Sequence, residues 1–236
     1  MTERISRRAF LVFAGGALVA PRVSWAAVEV PSLLDHILLG CNDLERGIAF
    51  VEERTGVRAA FGGVHPGRGT QNALLSLGER RYLEIIAPDP KQSGVQQFAV
   101  IAKLTEPRLI GWAAHPGDLD SFAKKLNGAG VVFKGPTPGS RKRPDGRMLN
   151  WKTLNLADDH GGLLPFFIEW SADSVHPSAD APKGCSLLRF EAATPDPDAL
   201  AKQVALLGLD LPVVKGDKPQ LRATFVGLKG QLTVTS

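Results

Sequence analysis

The chain has 236 residues, 44% of them apolar and 22% charged, the composition of an ordinary globular protein of one large domain or two small ones. No apolar run reaches the ~18 residues that suggest a membrane span. The formal charge of +4 is concentrated at one end: Arg4, Arg7, Arg8 and Arg22 against the single acid Glu3 precede Ala27. Removing that net +3 leaves +1, so the basic pI of 9.2 argues little for a nucleic-acid partner.

The chain opens with a basic stretch to Arg8 and a short apolar core from Ala9 to Ala20. Ser24-Trp25-Ala26 follows, with small residues placed for a signal-peptidase cut after Ala26. Ser6-Arg7-Arg8-Ala9-Phe10-Leu11 resembles a twin-arginine export signal. An ordinary basic signal or a retained anchor is the plainer alternative. The expectation is a removed segment 1–26 and a periplasmic or secreted mature chain. Cys41 and Cys185 could pair in that compartment, but two buried unpaired thiols are favoured.

Leu33 to Cys41 reads as a buried strand containing one histidine, His36. Asn42-Asp43 caps a helix with an apolar stripe of Leu44, Ile48 and Val51, which Gly56 ends. Strands follow at Val57–Gly63, Gln71–Leu77 and Arg81–Ala87, the last containing one carboxylate, Glu84. A connection to Leu104 holds a short helix over Val95–Lys103, and then the pattern restarts. Arg108–Ala114 is a strand, and Asp118 caps a helix with Leu119, Phe122, Ala123 and Leu126 on one face. Strands at Val131–Lys134, Arg147–Leu156 and Leu163–Trp170 complete the second unit. Ser171 to Lys183 is a polar, proline-containing linker. A third, shorter copy follows, with a strand at Ser186–Ala193, a helix at Asp196–Leu207 and strands at Leu211–Lys215, Leu221–Val226 and Gln231–Thr235. Repetition of one strand-helix-three-strand unit predicts an α+β fold of βαβββ units paired around a common core, with a third, shorter unit at the C-terminus. The expected organisation is 1–26 signal, 27–170 paired units, 171–184 linker and 185–236 third unit.

An ionisable side chain inside an apolar strand is costly unless something satisfies it, so His36 and Glu84 point to a shared polar site. Between them the glycine-rich run from Gly62 to Gly69 leads into Thr70 and Asn72. These two share strand parity and, with His65, offer donors and acceptors for a small oxygenated ligand. A hairpin loop satisfying its own backbone is the equal alternative. Trp112 and Trp151 could line an apolar pocket, though such residues are more often core. Arg141-Lys142-Arg143 and Arg147 flank a Pro144-Asp145-Gly146 turn, by default solvated, with a basic lid over an anionic substrate as the sharper reading.

Leu34-Asp35-His36, Gly63-Val64-His65, Gly69-Thr70-Gln71-Asn72, Tyr82-Leu83-Glu84 and Leu164-Pro165-Phe166-Phe167-Ile168-Glu169-Trp170 together resemble the glyoxalase-like branch of the vicinal-oxygen-chelate superfamily. The resemblance implies that the two βαβββ units form a curved mixed-sheet cleft with the site inside it, and metal ligands on the first and last strand of each unit. His36, Glu84 and Glu169 match three of those positions, while aligning the units puts Gly111, with Trp112 beside it, at the fourth. It further implies a divalent ion (Mn, Mg, Fe or Zn), with Glu84 or Glu169 moving a proton in lyase or isomerase chemistry. Each residue alone has a plainer role in a hydrogen bond or ion pair. A non-catalytic, ligand-sequestering protein of the same fold is the second expectation, and a homodimer is a further one.

Overall fold

The computed structural model describes residues 30–92 and 99–236. The expected export signal lies outside the described residues, as does the first part of the helix expected at Val95–Lys103; Ala99–Ala102 of that helix is present as a single turn.

The first unit comprises β1 (Leu34–Gly40), α1 (Leu44–Thr55), β2 (Ala60–His65), β3 (Thr70–Ser76) and β4 (Tyr82–Pro88). After the short α2 (Ala99–Ala102), the second comprises β5 (Arg108–Ala114), α3 (Leu119–Gly128), β6 (Phe133–Lys142), β7 (Met148–Leu156) and β8 (Phe166–Trp170). The helix signals act as expected. Asp43 accepts from the Arg46 N–H at 2.8 Å and Asp118 from the Ser121 N–H at 2.7 Å, while Gly56 ends α1 in the left-handed region at φ +77°.

The eight strands form one curled sheet in the order β2-β3-β4-β1-β5-β8-β7-β6. In each unit the first strand runs parallel to the last, and β1 and β5 pair antiparallel at the seam, which makes the repeat a true structural duplication. β6 is longer than the sequence suggests, because it runs through Gly135, Pro136, Pro138 and Gly139. These residues argue against a strand interior, but β6 is an edge strand and can tolerate missing backbone donors. The two edges of the sheet approach each other, and Arg141 on β6 donates from Nη1 to the Gly62 carbonyl on β2 at 2.5 Å.

The third unit is not a loose appendage. The stretch expected as a linker contains α4 (Pro177–Asp180) and docks on β3, with the Ser76 N–H donating to the Pro182 carbonyl at 2.9 Å. β9 (Ser186–Thr194), α5 (Pro197–Leu206), β10 (Val213–Lys215), β11 (Gln220–Val226) and β12 (Gln231–Thr235) follow in the expected order. Their pairing differs from the other two units: β10 lies parallel to β9 rather than at the far edge, giving the order β10-β9-β11-β12. This second sheet shares one apolar core with the outer face of the first, where Phe190 meets Trp112 edge-to-face at 5.3 Å. Cys41 and Cys185 are buried free thiols in that core.

Candidate functional site

Cross-strand partners in a sheet share a face, so the register decides which side chains enter the cleft. His36 pairs with Tyr82, Leu38 with Glu84, Glu84 with Leu74, Ile86 with Asn72 and Thr70 with His65. His36, Glu84, Asn72, His65 and Thr70 therefore share the concave face, as the strand pattern predicts. They gather beside a cavity of about 600 Å³, which His36, His65, Asn72 and Glu84 line directly.

Glu84 is the hub of this wall. Asn72 Nδ2 donates to its Oε1 at 2.6 Å, His65 Nε2 lies 3.5 Å from Oε1, and His36 Nε2 lies 3.6 Å from Oε2. Burial pushes the Glu84 carboxyl up, but the His65 and His36 rings, the Asn72 amide and Arg141 outweigh it and hold the group below its ordinary value. Burial pushes the His65 imidazole down, more than the Glu84 charge raises it. His65 Nδ1 and the Thr70 hydroxyl are hydrogen-bonded at 2.8 Å.

Behind His36 stands a carboxylate that the strand pattern did not single out. Asp35 occupies a bulge in β1 and is fully buried. Its Oδ1 lies 2.7 Å from His36 Nδ1, while its Oδ2 accepts from Trp170 Nε1 at 3.1 Å and lies 3.2 Å from His176 Nε2. Desolvation raises the Asp35 carboxyl, but the hydrogen bonds from His176 and His36 outweigh it and keep it well below the ordinary carboxylate range. Asp35 holds the His36 ring so that Nε2 faces Glu84 and the cavity, the outer-partner role that orients a working imidazole. His176 comes from the docked segment before α4, too far along the chain for any local motif to reveal it.

Two expected site residues lie elsewhere. Glu169 pairs with Lys152, whereas its neighbours Ile168 and Trp170 pair with Thr153 and Trp151 and line the cavity. Glu169 therefore faces the helix layer, where its Oε2 accepts from the Leu119 N–H at 2.7 Å at the start of α3. The register Ala113↔Phe166, continued along the parallel pair, makes Phe166 the counterpart of Glu84. The sequence alignment of the two units was displaced by three residues, and an odd displacement reverses the face. Trp112 pairs with Ile37 and is fully buried in the core, with Nε1 donating to the Leu163 carbonyl at 2.9 Å. Trp151 does line the cleft and lies 5.7 Å from Trp170. Gly111 occupies the place equivalent to His36 at φ +152°, and a Cβ there would meet nothing within 4 Å.

The resemblance carried by the sequence motifs implies a divalent metal ion. The expected set of His36, Glu84 and Glu169 does not fit such an ion, because Glu169 is on the opposite face of the sheet. Among the described residues no group of three or more His, Cys, Asp or Glu side chains is arranged to hold one. Also among the described residues, no helix is long and apolar enough to cross a membrane.

The opposite wall carries the apolar side chains Phe166, Ile168, Trp151 and Trp170, with Lys134, Thr137, Thr153 and Asn155 beside them. The cleft is thus asymmetric: the first unit supplies the imidazoles and Glu84, and the second supplies most of the aromatic surface together with Lys134 and Asp159. Arg141 crosses from the second unit to the first.

Comparison with known proteins agrees with this architecture. A solved hypothetical protein from Staphylococcus aureus aligns with a TM-score of 0.60 at 17% identity, covering 86% of this chain and 84% of that one. A methylmalonyl-CoA epimerase from Mycobacterium tuberculosis aligns over 61% of this chain and 91% of its own, at 21% identity and a TM-score of 0.42. No curated protein matches the chain. The family model for the glyoxalase-like domain matches residues 34–208, from β1 to just past α5. With the duplicated βαβββ cleft in place and that match spanning most of its length, the chain belongs to the glyoxalase-like domain family.

Proposed function

We propose that the protein is an enzyme that moves a proton on a carbon next to a carbonyl of a small oxygenated metabolite, in the lyase or isomerase class. The observation that carries this reading is the buried Asp35–His36–Glu84 series, open to a cavity of ligand size. Glu84 is held ionised and takes the C–H proton, while the bonding pair moves onto the carbonyl oxygen to form an enolate. His36 Nε2 is close enough to receive that proton through a small adjustment of the carboxylate, and Asp35 offsets the imidazolium that results. The pair then returns the proton to the intermediate at the same or a neighbouring atom. Asn72 and His65 hold the Glu84 carboxylate from the other side. Every one of these groups belongs to the first unit, so the proton leaves and returns on one face of the substrate.

Deuterium incorporation from D2O into a panel of 2-oxo acids and 3-oxo acids, followed by NMR, tests the reading. Exchange above the uncatalysed rate is expected, and Glu84→Gln should lower it roughly 100-fold or more. A ligand that binds in the cleft and leaves without exchange defeats the proposal. That result favours the second reading, a non-catalytic small-molecule binder, which the apolar wall of Phe166, Trp151 and Trp170 supports.

A further inference from the structure

We infer that the cleft is built for a monocarboxylate carried on an apolar body about the size of an aromatic ring, with Arg141 seating the carboxylate. This deepens the proposed function by naming a substrate class, and it rests on that reading only for which carbon reacts.

Arg141 is 6% exposed, yet among the described residues no carboxylate lies within ion-pair distance of it. Its hydrogen-bond partners among the described residues are both neutral and both use Nη1: the Gly62 carbonyl, and Asn72 Oδ1 at 3.5 Å. Nε and Nη2 have no hydrogen-bond partner among the described residues, and neither is sealed away from the cavity that Arg141 lines. A guanidinium stays charged even where burial opposes it. The Glu84 charge acts on Arg141 only without direct contact, and an anion placed on the idle edge of the fork adds two parallel charge-assisted hydrogen bonds to a buried cation that has no direct ion pair.

The backbone makes room for this arrangement. A Cβ on Gly63 would come within 2.6 Å of Arg141 Nη1, and one on Gly62 within 2.5 Å of Asn72 Oδ1. Gly63 also sits at φ +132°, a conformation that side chains rarely adopt. The two glycines thus allow the guanidinium to lie against β2 and project into the cavity.

Charge narrows the ligand further. Arg68, Lys134 and Arg141 line the cavity against Glu84 and Asp159, an excess of one positive charge with the histidines neutral. Asp35 does not enter that balance, because His36, Trp170 and His176 occupy it behind the wall. Glu84, ionised nearby, repels a second negative charge, so a carboxylate suits the place better than a phosphate dianion. The rest of the ligand meets Phe166, Ile168, Trp151 and Trp170, a surface suited to a flat apolar group.

Binding of phenylacetate, phenylacetamide and inorganic phosphate to the full chain tests this, by calorimetry and by the fluorescence of Trp151 and Trp170. Phenylacetate should bind roughly tenfold or more tightly than its neutral amide, since a charge-assisted pair is at stake. Arg141→Gln should abolish that preference, Arg141→Lys should keep part of it, and millimolar phosphate should not displace phenylacetate. Equal binding of acid and amide, no binding of phenylacetate, or an unchanged preference in folded Arg141→Gln overturns the inference. Displacement by phosphate overturns the assignment to a carboxylate. Should Arg141→Gln not fold, the wild-type acid-to-amide ratio and the Lys variant decide. Failed deuterium exchange with the acid preference intact defeats the proton-transfer reading alone; exchange without the preference defeats the anion seat alone.

Discussion

Replacing Asp35 with Asn tests whether the buried carboxylate organises the working face. Asp35 receives three donors: His36 Nδ1 at 2.7 Å, Trp170 Nε1 at 3.1 Å and His176 Nε2 at 3.2 Å. The His176 tautomer follows from the Ser178 N–H, which lies 3.2 Å from Nδ1 and leaves the ring proton on Nε2. An Asn side chain has one acceptor oxygen, so at least one donor must face an NH2 group at hydrogen-bonding distance. Hydrogen bonds to a charged group contribute about 1.5–3 kcal/mol each, and breaking a buried charged set costs about 3–5 kcal/mol. Urea unfolding at pH 7 should therefore show Asp35→Asn less stable by about 3 kcal/mol with an unchanged slope. The pH dependence gives an independent check. The Asp35 carboxyl is held below its ordinary value, so its contribution is complete above that value, about pH 4, and is lost as pH falls through the depressed one. The gap between wild type and variant should shrink on acidification below about pH 4. A destabilisation below about 1 kcal/mol, or a gap that does not change with acid, refutes the organising role.

Two further outcomes follow from the placement of particular residues. Glu169→Ala should reduce stability by about 1 kcal/mol through the lost bond to the Leu119 N–H, and should leave phenylacetate affinity unchanged; weakened binding by calorimetry would return Glu169 to the site. Gly63→Ala combines strain at φ +132° with a contact on Arg141, so it should lower the melting temperature and weaken phenylacetate more than phenylacetamide; equal weakening of the two ligands would show that Arg141 has not moved.

Much of the architecture was legible because the signals are local. Helix caps, glycine stops and apolar strands recur in the same order in each unit, and each acts within a few residues of itself. His36 and Glu84 stood out because an ionisable group in an apolar strand needs a partner. Thr70 and Asn72 followed from strand parity. The same parity contained the answer for Trp112, since a residue next to one that faces the cleft must face the core. Arg141 was visible only as one member of a basic turn. The structure separates it from Arg143 and Arg147, which pair with Asp145 and Asp180 outside the cleft.

The sequence by itself determined the duplicated units, the order of their strands and helices, and the strand face that carries His36, Thr70, Asn72 and Glu84. These depend on periodicity, capping and turn chemistry, which are properties of neighbouring residues. The tertiary structure alone decided that Glu169 caps a helix, that Asp35 and His176 stand behind His36, and that Arg141 reaches the site from the opposite edge of the sheet. Each of those depends on pairing between distant strands. There a shift of one residue reverses a face, and no local pattern records it.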